Sequence, residues 1–199
     1  MTEPFRAIRA KSTPKTITVY QAFSPEIATP AVQAQTFVAP FSRTRMTWIK
    51  PSFLWMAYRC GWATKQNQER VLAVEITRQG FEWALEESCL SNARHGIHGQ
   101  EQERWREKLR KSPVRVQWDP ERDLWHRPLA HRSIQIGISG EAVGRYVDEW
   151  IVSITDVTGL MEKTKGLLDR GDVEGAKKLL PAEDAYPLSE ELRNILQAT

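Results

Sequence analysis

The chain has 199 residues, 41% of them hydrophobic, which is enough for one domain with a substantial buried core. A formal charge of only +3, from 28 basic and 25 acidic residues, excludes the field of a strong non-specific polyanion binder, so any nucleic-acid site has to be a local patch. Two cysteines are too few for a disulfide framework, no secretory apolar core precedes them, and no apolar run reaches the ~18–20 residues of a membrane helix. The expectation is a protein of the reducing cytoplasm that spans no membrane.

Residues 1–15 carry Arg6, Arg9, Lys11 and Lys15 with little apolar periodicity and read as a disordered basic tail. Glu3 and the two prolines set it apart from an Arg-rich mitochondrial presequence. Residues 16–23 place Ile17, Val19 and Tyr20 in a β-branched and aromatic pattern that predicts a first strand, stopped at Ser24-Pro25. Thr29 followed by Pro30 predicts a helix start, with Pro40 as its end. Residues 46–50 predict a short strand, and Pro51-Ser52 opens a helix to Cys60 with Gly61 as its stop.

Residues 70–76 form an apolar run suited to a strand covered on both faces, with Glu75 as the odd member. Thr77 caps a helix bearing Phe81, Trp83, Ala84 and Leu85, and residues 100–111 make a charged helix held down by Trp105 and Leu109. Two strands, residues 114–118 and 124–129, flank Asp119-Pro120-Glu121-Arg122-Asp123, which has the composition of a hairpin turn. Residues 132–138 alternate Ile134, Ile136 and Ile138 with Ser133 and Gln135, and Ser139 then caps a helix with apolar positions from Val143 to Ile154. Helical patterns at 160–168 and 173–180 form a hairpin, and residues 189–196 form a last helix.

Together these elements predict an α+β fold: a central, mainly antiparallel sheet, whole or split, packed with helices. The core domain covers residues 16–155, and a C-terminal helical extension at 156–199 packs on it.

Between residues 43 and 65, cations and large rings are interleaved: Arg43, Arg45, Trp48, Lys50, Trp55, Tyr58, Arg59, Trp62 and Lys65. Rings stack on bases while guanidinium and ammonium groups neutralise phosphates, so the candidate ligand residues are Arg45, Trp48, Lys50 and Arg59. Ser52 joins them because a helix start offers free backbone donors. Helical spacing assigns Trp55 and Trp62 to the core.

Cys60 falls at a helix C-terminus, where the dipole raises a thiol pKa, and reads as a buried structural residue. Cys89, His95 and His98 lack a fourth ligand, so no metal is expected. Glu75 within an apolar strand has to be paired or shifted in pKa. Ser133 and Gln135 share a strand face, and Tyr20 is the aromatic hydroxyl expected at a strand end. Glycine-rich phosphate loops, the Gly-x-Ser-x-Gly elbow and the His-Glu-x-x-His zinc motif do not occur.

Four runs carry a family resemblance: Val19-Tyr20-Gln21-Ala22; Met46-Thr47-Trp48-Ile49-Lys50-Pro51-Ser52-Phe53-Leu54-Trp55-Met56; Tyr58-Arg59 with Gly61-Trp62-Ala63; and Val114-Arg115-Val116-Gln117-Trp118-Asp119-Pro120-Glu121-Arg122-Asp123. With Arg132-Ser133-Ile134-Gln135-Ile136-Gly137, the chain resembles domain-of-unknown-function family 4291 over nearly its whole length after the tail. That family is remotely similar to ADP-ribosyltransferases, whose split antiparallel sheet grips NAD. The resemblance implies NAD as cofactor and a nucleotide-using enzyme that transfers ADP-ribose to a nucleic acid or other acceptor. Arg45, Lys50 and Arg59 would hold the pyrophosphate, Tyr20 and Trp48 would line the base or nicotinamide pocket, and Glu75 or Gln135 would act on the acceptor. This chain has Tyr20-Gln21 where such enzymes carry a His or Arg. The alternative is a non-enzymatic module binding single-stranded RNA or a nucleotide on the same surface, and the helical hairpin could separately serve a protein partner.

Overall fold

The computed structural model describes residues 4–92 and 98–199. In chain order its first half comprises β1 (Arg9–Ala10), β2 (Thr16–Phe23), α1 (Pro25–Ala34), β3 (Thr47–Ile49), α2 (Phe53–Cys60), β4 (Arg70–Thr77), α3 (Arg78–Glu86) and β5 (Ser88–Leu90). There follow α4 (Gln100–Lys111), β6 (Val114–Arg122), β7 (Pro128–Ile138), α5 (Glu141–Arg145) running into a π-helical turn (Tyr146–Trp150), β8 (Ile151–Asp156), α6 (Thr158–Asp169), α7 (Val173–Leu179), β9 (Asp184–Ala185) and α8 (Glu190–Leu196).

The strands form a split sheet, one half three-stranded in the order β2-β4-β8 and the other four-stranded in the order β3-β7-β6-β5. All pairs are antiparallel except β5 with β6. Alternation decides which side chain faces which layer. Leu72, Val74 and Ile76 of β4 join Val114 and Val116 of β6 and Ile134, Ile136 and Ile138 of β7 in the main core, under α1, α3, the π-turn and α8. The opposite face of β2 and β4 presents Tyr20 and Val71 to a second apolar layer with Phe53, Met56, Ala57 and Cys60 of α2 and Met161 of α6. The α+β architecture and the C-terminal helical hairpin agree with the sequence reading.

Several boundaries differ from that reading. The expected basic tail is tied down: Ile8 and Ala10 are buried, and β1 pairs with β9 near the C-terminus. Helix α1 begins at Pro25 rather than Pro30, because β2 runs to Phe23 and Ser24-Pro25 supplies the first usable start, leaving Pro30 inside the helix.

The hairpin turn lies not at 119–123 but at 123–127, where the Asp123 carboxylate accepts from the Trp125 and Arg127 amides, both at 2.9 Å. Pro120 is tolerated within β6 because β5 pairs only with Val114, Arg115 and Val116, so at Pro120 that side of the strand is an edge. The helix expected to run to Ile154 stops at Trp150, and the β-branched run after it completes the free edge of β4 as β8. Strand β5 escaped the sequence reading altogether, being three residues long.

Candidate functional site

Among the described residues the edges of the two half-sheets, β2 and β3, are joined along the backbone by one bridge. The Tyr20 amide donates to the Lys50 carbonyl at 2.7 Å, and the Lys50 amide donates back to the Tyr20 carbonyl at 3.2 Å. Beyond it β2 and β3 splay apart, Gln21 to Phe23 on one side and Thr47 and Trp48 on the other, and the gap is a cleft of about 660 Å³. That volume is in the range of small-molecule sites.

Its floor is a buried polar chain. The Tyr146 hydroxyl donates to Gln21 Oε1 at 2.7 Å, and Gln21 Nε2 donates to Thr47 Oγ1 at 2.6 Å. Gln21 is only 2% exposed, so this network fixes its amide in place and leaves the Thr47 hydroxyl hydrogen available to a bound molecule. Trp48 forms part of the wall, its indole lying over Gly137, where an added Cβ would meet the ring at 2.9 Å.

Arg45, Lys50 and Arg59 all line this cleft, and among the described residues no aspartate or glutamate does. They arrive from the loop before β3, from the end of β3 and from the last turn of α2. Arg45 is exposed and makes no ion pair or hydrogen bond among the described residues. Arg59 Nη1 donates to Gln68 Oε1 at 3.2 Å, from a loop that also lines the cleft.

Lys50 is unusual in being 5% exposed. Its ammonium lies 3.4 Å from the Trp48 carbonyl and 5.3 Å from the centroid of the Trp55 ring, and it has no ion pair among the described residues. Burial, with Arg59 nearby, pushes its pKa down to about 7 against a smaller opposing pull from Asp119.

The other expected site residues lie off the cleft lining. Ser52 is the N-cap of α2, its hydroxyl accepting from the Trp55 amide at 3.1 Å, and it is buried. The neighbouring helix-start donor, the Phe53 amide, is filled from within by Glu183 Oε1 at 2.7 Å, so this helix end offers no open anion site. Burial raises the Glu183 carboxyl to about 8, the Phe53 hydrogen bond opposing and Glu121 adding to the rise.

Tyr20 packs edge-on against Phe53 in the second apolar layer, and burial raises its phenol pKa. Glu75 accepts from the Thr16 hydroxyl and, at 3.1 Å, from the Ser153 hydroxyl, which accounts for a carboxylate in an apolar strand without any ligand. Gln135 donates to Asp119 at 2.6 Å on the polar face of β6 and β7, where Gln117 donates to the same carboxylate. Gln21 and Thr47 are the site residues that sequence reasoning passed over. The only local signal was a polar side chain inside the first apolar strand.

The basic segment therefore divides. Arg43 is tied by a bidentate pair to Asp148 at 2.6 and 2.8 Å, and Lys65 caps α2 by donating to the Arg59 carbonyl at 2.8 Å. Trp55 and Trp62 are both buried; Trp55 lies on α2, whereas Trp62 lies past the helix end and is buried by stacking on His126. Cys60 is a buried thiol whose pKa burial raises. Of the weak metal-like set, His95 lies outside the described residues, and among the described residues no group of three His, Cys, Asp or Glu side chains is placed to hold an ion. Among the described residues no helix is long and apolar enough to cross a membrane.

No curated protein matches this chain. A family model does match, over residues 7–186, and the chain belongs to the family described as "Domain of unknown function (DUF4291)".

Proposed function

We propose that the cleft between the half-sheets binds a nucleotide, with Arg45 and Arg59 on its phosphates, Lys50 behind them and Trp48 beside the base or sugar. The observation that carries this reading is the convergence of three basic side chains from separate segments on one cleft that, among the described residues, no carboxylate lines. Unneutralised cations around a concave surface favour an anionic guest, and a charge-assisted hydrogen bond contributes about 1.5–3 kcal/mol. NAD, through its pyrophosphate, belongs to this ligand class. In the enzymatic form of the reading, ADP-ribose transfer, a side chain at the reacting carbon would have to come from outside the cleft, since Tyr20, Glu75 and Gln135 are held elsewhere. The weight of the proposal is therefore on phosphate binding.

Single-stranded RNA fits the same surface through the half-buried Trp48 and exposed Arg45, and predicts affinity that falls steeply with salt. Calorimetric titration with ADP, NAD and a short single-stranded oligonucleotide, alongside an assay for nicotinamide release, separates these readings. Replacing both Arg45 and Arg59 by Gln is expected to weaken nucleotide binding at least tenfold with the melting temperature preserved. Absence of binding by every nucleotide at millimolar concentration would sink the proposal.

A further inference from the structure

Lys50 and Arg59 line the cleft together, and among the described residues no carboxylate lines it beside them. Lys50 is buried, holds one long hydrogen bond to the Trp48 carbonyl and lies against the Trp55 ring, while the exposed Arg59 lines the same cleft close enough to act on the amine electrostatically. The charged or titratable groups that act on the amine are Arg59 and Cys60 from α2 and Asp119 from β6. Cys60 is held as a thiol by burial, and the Asp119 carboxylate is engaged by Gln117 and Gln135. A donor so placed lacks an acceptor of matching charge, and a guest in the cleft can supply one.

We propose that the inner end of the cleft, where Lys50 and Arg59 stand together, is a subsite for a terminal phosphate monoester, taken as its dianion, and that Lys50 gains a proton as this phosphate binds. The proposal rests on the nucleotide reading of the cleft and narrows its ligand class. A terminal phosphate brings two negative charges to one point and satisfies both cations. A phosphodiester within a nucleic-acid chain, or either phosphate of a dinucleotide, brings only one and leaves part of the repulsion in place.

The proton balance follows from the two titrations. Around pH 8 a phosphomonoester, whose second pKa is about 6, is already the dianion, and it gives up no proton on binding. The unliganded Lys50 amine, with a pKa pushed down to about 7, is then mostly neutral, so the proton that charges it comes from the buffer. Near pH 6 the amine is already charged and the phosphate is half-protonated, so binding releases protons instead. Affinity should peak between these limits.

The test is titration of the intact chain with adenosine 5′-monophosphate and with its 5′-methyl ester, which differs by one charge. Each is measured near pH 8 in two buffers of different ionisation enthalpy. The monoester is expected to bind at least tenfold more tightly and to take up a proton fraction approaching one, and Lys50→Met should abolish the uptake. Arg59→Gln, at an exposed position, provides a second variant should the buried substitution compromise folding. It removes the repulsion on Lys50 and is expected to reduce the uptake. Equal affinity for the two ligands, or uptake unchanged in both variants, overturns the subsite while leaving the nucleotide reading intact. Binding of neither ligand at millimolar concentration overturns both.

Discussion

Arg43 and Arg45 sit two residues apart with opposite roles. Arg43 closes a bidentate pair with Asp148 from the π-turn, whereas Arg45 stands at the mouth of the cleft with its guanidinium uncommitted among the described residues. At the cleft floor, Gln21 is the residue on which two neighbours depend, since its amide accepts from Tyr146 and donates to Thr47. Gln21→Leu fills a similar volume but strands the buried Tyr146 hydroxyl, and each buried polar group left without a partner costs about 1–3 kcal/mol. Urea unfolding should register a loss in that range, together with weaker nucleotide binding. Gly137 makes a contrasting prediction. A methyl group there meets the Trp48 ring at 2.9 Å, and a ring at the cleft edge can shift, so Gly137→Ala should alter ligand affinity severalfold while the melting temperature changes little.

At the level of elements, α2 is fixed at both ends by local chemistry and at its start by a distant residue. Ser52 caps the N-terminus, Gly61 at φ 60° closes the C-terminus with its amide on the Ala57 and Tyr58 carbonyls, and Glu183 holds the Phe53 amide. The orientation of Arg59 follows from this anchoring, since it leaves the exposed side of the last turn while Cys60 faces the core. Helix α3 shows how tightly the other layer is packed. A Cβ on Gly80 would lie 2.3 Å from the Trp150 ring, which is itself buried against Tyr146. Gly80→Ala should therefore destabilise the fold by about 1–3 kcal/mol through overpacking, despite the better helix propensity of alanine, and thermal melting checks it.

For the whole molecule, two desolvated groups, Glu183 and Lys50, set an unusual pH dependence. The Glu183 carboxyl is raised to about 8 when folded, so its contribution to stability is present below its unfolded pKa of about 4.3 and is lost as pH rises through 8. Lys50 is lowered to about 7, so its contribution is present above its unfolded value of about 10.4 and is lost as pH falls through 7. Between pH 7 and 8 both groups are held neutral against the charge each would carry unfolded, and their summed contribution passes through a trough there. Denaturant midpoints measured from pH 5 to 10 should show it. Glu183→Gln keeps an oxygen for the Phe53 amide and should remove the acid limb, while Lys50→Met should remove the alkaline limb. If the midpoints of the two variants track the parent at every pH, these groups do not control the profile.

Short-range chemistry wrote much of this protein into its sequence. The first strand, the capped α2 helix, the alternating Ile134-Ile136-Ile138 face and the C-terminal helical hairpin each depend on neighbours within a few residues, where periodicity and capping act. The cations of the basic segment were legible for the same reason, as was the burial of Trp55 on α2. What required the tertiary structure were the decisions taken between distant segments. Asp148 tied Arg43 away from the cleft lining, Glu183 filled the helix start expected to hold an anion, and Thr16 and Ser153 engaged Glu75. The cleft itself exists because β2 and β3 meet at one bridge and then diverge, a relation between residues 20 and 50 that no local pattern encodes. Residue types determined which groups could bind a phosphate, and long-range pairing determined which were left free to do so.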